Sequence, residues 1–186
     1  MTSLPFLTHS LDYAKEKKDE DLIQASEEAI KIALGSTQIN PKDVDLAGKS
    51  LRNANLKNLD LERADFQKSN LYSANLSYCN LLGAKFAHAD LYLSDFTNTN
   101  LTDADFSQAN LRRANFKMAK LDKANFKYSR NVEDAEFTPA SLKDADFSND
   151  DIIKLLKKYK GEIEQDRYGE NLFDKLIEKY SLKPLV

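Results

Sequence analysis

The side chains that most often carry catalysis are few in this chain of 186 residues. The two histidines, His9 and His88, lie in different segments, and a general base needs a nucleophile and an orienting carboxylate within hydrogen-bonding reach. A single cysteine, Cys79, excludes an intramolecular disulfide and a zinc site made of cysteines. The five glycines are dispersed and form no phosphate-binding loop. The sequence therefore predicts no catalytic, cofactor-binding or metal-binding residues, and no cofactor.

A large apolar residue recurs at every fifth position through the middle of the chain. Seventeen leucines and phenylalanines follow one another at this spacing from Leu46 to Phe126. After a slip of one residue the spacing resumes at Val132 and continues to Phe147, which gives twenty-one repeats. A period of five fits neither a helix, which repeats about every 3.6 residues, nor a strand, which repeats every two. A chain that places a large side chain inward every five residues must turn regularly.

The residues around these central positions indicate where the chain turns. A small residue, usually alanine, stands two places before most central residues and fits inside a tight corner. The residue directly before the central one, here called the Asx position, is Asp or Asn in sixteen of twenty-one repeats. Because Asp and Asn hydrogen-bond nearby backbone in turns, the fold explains these carboxylates better than acid–base chemistry does. The first and second outward positions, which follow the central residue, are mostly polar and are expected to face water.

Two consecutive segments, 104–108 (Ala-Asp-Phe-Ser-Gln) and 109–113 (Ala-Asn-Leu-Arg-Arg), match the repeat of the pentapeptide-repeat proteins. The chain resembles this family over roughly residues 44–148. The resemblance implies a mainly β fold, a right-handed quadrilateral β-helix in which four pentapeptides form a square coil of twenty residues. The repeats then make a solenoid of about five coils. The family is especially numerous in cyanobacteria, so a cyanobacterial-type member is expected.

The choice between leucine and phenylalanine supports the coil of twenty residues. Central residues twenty apart would stack on one side of such a coil. One side then holds phenylalanines from Phe66 to Phe147, and the side half a coil away holds them from Phe96 to Phe137. The other two sides hold leucines and one valine. An uncorrelated choice would not sort the two residue types in this way.

The five-residue period divides the chain into three domains. Residues 1–43 are predicted to be an N-terminal helical cap, residues 44–148 the β-helix and residues 149–186 a C-terminal helical cap, with Ser148 or Asn149 as the N-cap of its first helix. An open coil exposes unpaired strand edges and an apolar cross-section, so α-helical caps are expected at both ends. The slip between Phe126 and Val132 is interpreted as a bulge at one corner.

Charge and hydropathy narrow the class of partner. The formal net charge of −3 arises in the first forty-three residues, because residues 44–148 hold fourteen acidic and fourteen basic side chains and residues 149–186 hold eight of each. No nucleic acid is expected as a partner, since this balance gives no basic footprint. No signal peptide or membrane-spanning apolar run is found, which predicts a cytoplasmic protein without membrane contact. A monomer, or a dimer formed through a helical end, is expected.

Basic residues are concentrated in one band. Residues twenty apart, or twenty-one apart across the slip, are expected to lie side by side on successive coils. This predicts cross-strand ion pairs of Arg112 with Glu133 and of Arg113 with Asp134. The band consists of Arg112, Arg113, Lys117, Lys120, Lys123, Lys127 and Arg130.

Outward tyrosines and arginines form the candidate functional surface. Stacking by twenty aligns Arg and Tyr side chains in one column of first outward positions, with apolar and basic residues beside it. This composition is typical of protein-binding surfaces. The predicted interaction patch consists of Arg52, Tyr72, Tyr78, Tyr92, Leu93, Arg112 and Arg113. The alternative, that the tyrosines only stabilise the β-face on which they stack, stays open.

The pattern favours a non-enzymatic protein-interaction or scaffold module that acts through its outer faces or helical caps, with an unidentified protein partner. The resemblance implies one alternative, because some members of the family mimic duplex DNA, bind DNA gyrase and protect it from quinolones. Those proteins are markedly acidic rods, whereas the repeat region here is neutral.

Overall fold

The computed structural model describes residues 43–164 and 172–182. The predictions made for residues 1–42, which include the N-terminal helices, the cap they would form and His9, lie outside the described residues.

Parallel β-bridges join residues that lie twenty apart along the chain. They run from Asp45–Asp65 to Asn110–Arg130 and lie at the Asx positions. Two short strands, β1 (Asn115–Phe116) and β2 (Glu136–Phe137), pair in parallel in the same ladder. Successive coils thus lie on one another, and the chain is a β-helix solenoid held by single bridges more than by long strands.

The pentapeptide at residues 71–75 shows why the Asx position is needed. The backbone N–H groups of residues 71, 73 and 75 donate to carbonyl oxygens of neighbouring coils at 2.8–2.9 Å, and the N–H of Ala74 closes a turn onto the carbonyl of Leu71 at 2.9 Å. The remaining N–H, that of Tyr72, donates to Oδ1 of Asn70 at 3.1 Å. All five donors are therefore satisfied, and a buried donor without an acceptor would cost about 1–3 kcal/mol.

Lys85 interrupts this arrangement, because its side chain occupies an Asx position and cannot accept a hydrogen bond. The N–H of Ala87, two residues later, donates to no other described residue, and Ala87 is buried. We expect Lys85→Asn to raise the free energy of unfolding by about 1 kcal/mol, since Asn supplies the missing acceptor. Urea denaturation measures the change, with Lys127→Asn at an exposed first outward position as the charge-matched control. A Lys85→Asn protein no more stable than this control contradicts the role given to the Asx position.

Each turn places its second outward residue in the left-handed region. From Gly48 to Tyr128 every second outward residue has a φ between +53° and +66°, as the third residue of a type II turn requires. Glycine and asparagine tolerate this conformation, whereas a larger side chain costs about 1–2 kcal/mol there. Large apolar side chains nevertheless occupy the position at Tyr78, Leu93, Met118 and Tyr128.

The phenylalanines form two ring columns inside the coil. Within a column the ring centroids lie 4.8–5.2 Å apart, with the rings nearly parallel. Rings of one column meet those of the other edge to face at 5.3–5.7 Å. The columns are Phe66, Phe86, Phe106, Phe126, Phe147 and Phe96, Phe116, Phe137, and all are at most 1% exposed. The predicted sorting of phenylalanine onto two walls is confirmed, and the walls touch across the core.

The register changes where the slip was predicted. Asn110 pairs with Arg130, twenty residues on, whereas Asn115 pairs with Glu136, twenty-one residues on. Asn131 lies between these pairs with a φ of +57°, a conformation that asparagine tolerates. The slip is therefore a local insertion that leaves the ladder intact beyond it.

The turns after the slip differ from those before it. Two 3-10 helices, η1 (Val132–Asp134) and η2 (Pro139–Lys143), replace the left-handed turns. Pro139 stands at a second outward position, where its ring forbids a positive φ. The regular turn is thus excluded at this corner by covalent geometry.

Two helices follow the last repeat. The first, α1, spans Asn149–Glu164, and the second, α2, spans Leu172–Tyr180. Ser148 caps α1, since its hydroxyl accepts a hydrogen bond from the N–H of Asp151 at 3.3 Å and donates to that carboxylate at 2.6 Å. Helix α1 continues through Gly161 and buries Ile163 against the core.

A Lys-Tyr pair in α1 binds the backbone of the last coil. Nζ of Lys158 donates to the carbonyls of Glu133 and Ala135 at 3.2 and 2.6 Å. The hydroxyl of Tyr159 accepts a hydrogen bond from the N–H of Phe137 at 2.8 Å. In earlier coils the N–H of a central residue and the carbonyl two residues before it bond to the next coil. The Lys-Tyr pair therefore bonds to backbone groups that a following coil would otherwise bond.

A second Lys-Tyr pair, in α2, repeats this arrangement. Nζ of Lys179 donates to the carbonyls of Lys143 and Ala145 at 3.0 and 2.6 Å. The hydroxyl of Tyr180 donates to the carbonyl of Ala145 at 2.9 Å and accepts from the N–H of Phe147 at 3.0 Å. Burial raises the pKa of Tyr180 to about 12, so this hydroxyl keeps its proton at neutral pH.

Candidate interaction surface

His88 is exposed at a second outward position, as predicted. The groove beside it is lined by Gln108, Tyr128 and Arg130, which supply no carboxylate to orient the imidazole. Within residues 43–164 and 172–182, no group of three or more His, Cys, Asp or Glu side chains is arranged to hold a metal. We assign no catalytic, cofactor-binding or metal-binding role to a described residue.

Cys79 occupies a small inward position and is buried. Its thiol donates to the carbonyl of Leu56 at 2.9 Å, and burial raises its pKa to about 11. Because the thiolate is the reactive form, we expect an aromatic disulfide reagent to leave the native thiol unlabelled at about pH 8 and to label it rapidly after denaturation. A native thiol labelled as fast as the denatured one contradicts the inward position.

Four of the predicted patch residues form one continuous stack, here named the Tyr–Arg column: Arg52, Tyr72, Tyr92 and Arg112. The ring centroids of Tyr72 and Tyr92 lie 5.2 Å apart. The guanidinium of Arg52 lies 4.0 Å from the Tyr72 centroid, and that of Arg112 lies 5.8 Å from the Tyr92 centroid. Each end of the stack is thus a cation over a ring, a contact that stabilises by about 0.5–1 kcal/mol at an exposed site.

The other three predicted patch residues lie around this column without joining the stack. Leu93 follows Tyr92 at the second outward position, and Arg113 follows Arg112 in the same way. Tyr78 lies on the next side of the coil, where Nζ of Lys57 is 5.1 Å from its ring centroid. The structure therefore brings four of the seven residues into contact, while Leu93 and Arg113 adjoin them in the chain and Tyr78 lies on the next side.

Sequence reasoning missed the two most exposed large apolar side chains of the described residues. Met118 is 67% exposed and Tyr128 is 75% exposed, compared with 55% for Tyr78 and 41% for Leu93. A signal was available, because all four stand at second outward positions, where glycine and asparagine are favoured.

The ion pairs across the slip differ from the prediction. Arg112 pairs with Asp134 at 3.6 Å and not with Glu133. Glu133 lies instead 3.7 Å from Lys154 of α1, and Arg113 makes no ion pair with another described residue. The predicted pairing was wrong because η1 replaces the ordinary turn and moves both carboxylates out of simple register.

Comparison with known proteins identifies related sequences. A family model described as a pentapeptide repeat region matches residues 49–126. A solved pentapeptide-repeat protein from Nostoc PCC 7120 is 30% identical, over 61% of this chain and 94% of that chain, with a TM-score of 0.46. The chain belongs to the pentapeptide-repeat family.

Two further solved structures are similar to this pentapeptide-repeat protein. A pentapeptide-repeat protein from the cyanobacterium Cyanothece 51142 is 23% identical, over 63% of this chain and 94% of that one, with a TM-score of 0.49. QnrB1, a plasmid-mediated fluoroquinolone resistance protein, is 21% identical, over 64% and 75% of the two chains, with a TM-score of 0.34. Comparison with curated proteins finds no match. Among the described residues, no helix has the length and apolarity needed to cross a membrane.

Proposed function

We propose that this pentapeptide-repeat protein is a non-enzymatic interaction or scaffold module that binds a protein partner through the Tyr–Arg column and the three residues around it. The observation that carries the proposal is the exposure of large apolar side chains at left-handed turn positions. Tyr78 and Leu93 are exposed there with φ values of +61° and +60°. Neither backbone conformation nor solubility favours such residues at these positions.

The second outward positions of the other repeats show which residues this turn accepts. Residues better suited to the left-handed conformation occupy other second outward positions, namely Gly48, Asn53, Asn58, Gly83 and Asn98. Most of the remaining positions hold polar or charged residues such as Arg63, Lys68 and Gln108, so an exposed apolar side chain there is a feature that the turn does not require. Contact with a partner accounts for such side chains, because tyrosine and arginine dominate the energetics of protein interfaces.

A purely stabilising role for the tyrosines explains fewer of the exposed residues than a binding role does. Stacking of Tyr72 on Tyr92 contributes about 0.2–1 kcal/mol as a cross-strand pair. It does not explain Leu93, which is exposed and outside the stack. The stack also holds both rings in place before binding, which reduces the loss of side-chain entropy when a partner docks.

The finer architecture is part of the proposal. We infer a right-handed, four-sided β-helix of about five coils over residues 44–148, with α1 and α2 as the cap on its C-terminal end. The two Lys-Tyr pairs support the cap, as does the burial of Ile152, Leu155 and Leu156 of α1. An N-terminal cap in residues 1–43, a cytoplasmic location, and a monomer or a dimer formed through a helical end remain predictions.

DNA mimicry directed at gyrase is the alternative. The equal numbers of acidic and basic residues in 44–148 disfavour it, because a mimic of duplex DNA needs dense negative charge. We expect the protein to leave gyrase supercoiling and its quinolone sensitivity unchanged. Inhibition of supercoiling, or protection from a quinolone, would replace the proposal by the alternative.

Affinity capture from a native extract tests the proposed surface. The baits are wild type, the Tyr72→Ala/Tyr92→Ala variant, and Lys123→Ala as a control at an exposed position on another side of the coil. We expect the double variant to recover the partner at a yield lower by about tenfold or more, and the control to match wild type. Equal recovery by all three baits would dismiss the column as a binding surface.

A further inference from the structure

A groove lies on the side of the coil that precedes the Tyr–Arg column. It has a volume of about 620 Å³ and is lined by His88, Gln108, Tyr128 and Arg130. The first three stand at second outward positions spaced by twenty residues, and Arg130 follows in the bridge to Asn110. All four side chains are exposed, and none of them forms a hydrogen bond with another described residue. The groove is therefore lined with polar groups available to a ligand.

The coil that carries this groove is strongly basic. Between Leu111 and Asn131 there are seven basic residues and one acidic residue, Asp122. Three of the basic residues are in ion pairs: Arg112, Lys117 and Lys120. Lys127 and Arg130, which flank Tyr128, form no ion pair in the part of the chain that the structure describes. Positive charge is thus uncompensated beside the groove.

The outward positions of this side supply no carboxylate to this charge in the coils up to Tyr128, and in the following segment Asp151 is already in an ion pair with Lys154. The outward positions on this side of the solenoid from Gln67 to Tyr128 contain no acidic residue. Asp90, the nearest carboxylate to His88 along the chain, is already bonded. Its Oδ1 accepts hydrogen bonds from the side chain of Asn110 at 2.8 Å and from the N–H of Tyr92 at 3.3 Å. A ligand that carries its own carboxylates would complete the site.

We propose that the groove binds an acidic peptide segment of a partner protein. Lys127 and Arg130 contact its carboxylates, Gln108 and His88 hydrogen-bond to its polar groups, and Tyr128 packs against its backbone. Tyr128 suits this role because it is exposed with a φ of +63°, a placement that the fold does not favour. The site is separate from the Tyr–Arg column and does not rest on it.

An acidic peptide fits better than a nucleic acid. The other two basic residues of this coil without an ion pair, Arg113 and Lys123, stand at the second outward positions of other sides. A nucleic-acid strand follows a line of several cations and gains affinity from each phosphate that is neutralised. Arg130 lines the groove and Lys127 precedes its lining residue Tyr128, so two cations are available there, which suits a segment with two carboxylates.

Fluorescence anisotropy with the full chain tests the proposal. The probe is a fluorescein-labelled peptide of alternating glutamate and serine, compared with its glutamine counterpart at about 0.15 M salt. The groove variant is Lys127→Gln/Arg130→Gln, and the matched control is Lys117→Gln/Lys123→Gln, which removes two positive charges from other sides of the same coil. We expect the groove variant to bind the glutamate peptide about tenfold more weakly and the control to stay close to wild type.

A second variant tests the groove without removing a basic residue. Gln108→Glu adds a carboxylate to the exposed groove wall and is expected to weaken binding as much, with the thermal midpoint unchanged. Equal weakening in the groove and control variants would show general attraction to the basic coil and overturn the proposal. No binding of the glutamate peptide by wild type would overturn it as well. Tighter binding of a single-stranded oligonucleotide than of the peptide would replace it by a nucleic-acid site.

Discussion

Phe106→Ala is expected to lower the free energy of unfolding by about 3–5 kcal/mol. Phe106 is fully buried between Phe86 and Phe126, at centroid distances of 4.9 and 4.8 Å, and meets the edges of Phe96 and Phe116 at 5.7 and 5.3 Å. These neighbours belong to coils fixed by backbone hydrogen bonds, so they relax little into the cavity. The substitution thus loses both the buried ring and its stacking contacts.

Urea denaturation measures this effect, and Ser107→Ala is the matched control. Ser107 is the next residue but stands at the first outward position, where its side chain makes no hydrogen bond with another described residue. We expect this control to change stability by less than about 0.5 kcal/mol. A Phe106→Ala protein with wild-type stability would show that the central residues do not form the core.

Tyr180→Phe is expected to lower the free energy of unfolding by about 1–3 kcal/mol, because it leaves the buried N–H of Phe147 without an acceptor. The carbonyl of Ala145 still accepts from Lys179 at 2.6 Å, so one of the two contacts is partly replaced. Tyr128→Phe is the matched control, since its hydroxyl forms no hydrogen bond with a described residue. Equal stability of the two variants would remove the support that Tyr180 gives to a C-terminal cap.

The same hydroxyl predicts an alkaline transition. The pKa of Tyr180 is raised by burial from 10.0 to about 12, so the folded state holds this proton more tightly than the unfolded state does. Its contribution to stability is complete below pH 10 and is lost as the pH rises toward 12. Stability of the wild type is therefore expected to fall more steeply over this range than that of Tyr180→Phe. Parallel curves would contradict the buried hydrogen bond.

The coil could be predicted because its determinants are local and repeat. The five-residue period and the sorting of phenylalanine by twenty place Phe66 under Phe86 without knowledge of any tertiary contact. The Asx position followed from the hydrogen-bonding habits of Asp and Asn, and Asn70 shows the expected bond. The Tyr–Arg column was predicted from the same spacing of twenty residues.

Features that depend on non-local docking could not be predicted. Lys158 and Tyr159 looked like ordinary residues of an amphipathic helix, and their bonds to Ala135 and Phe137 exist only once α1 lies on the last coil. The groove beside Tyr128 depends on how far neighbouring outward side chains extend, which spacing alone does not give. The ion pair of Arg112 was predicted with the wrong partner because the 3-10 turn after the slip could not be foreseen.

Site-directed photo-crosslinking is the most direct test of the claim that this solenoid acts through the surface around the Tyr–Arg column. A photoreactive phenylalanine analogue is placed at position 92, within the column, or at position 102, half a coil away at another first outward position. We predict that illumination in a native extract yields a covalent protein adduct from position 92 and none from position 102. Adducts of equal yield from both positions, or an adduct from position 102 alone, would contradict the account.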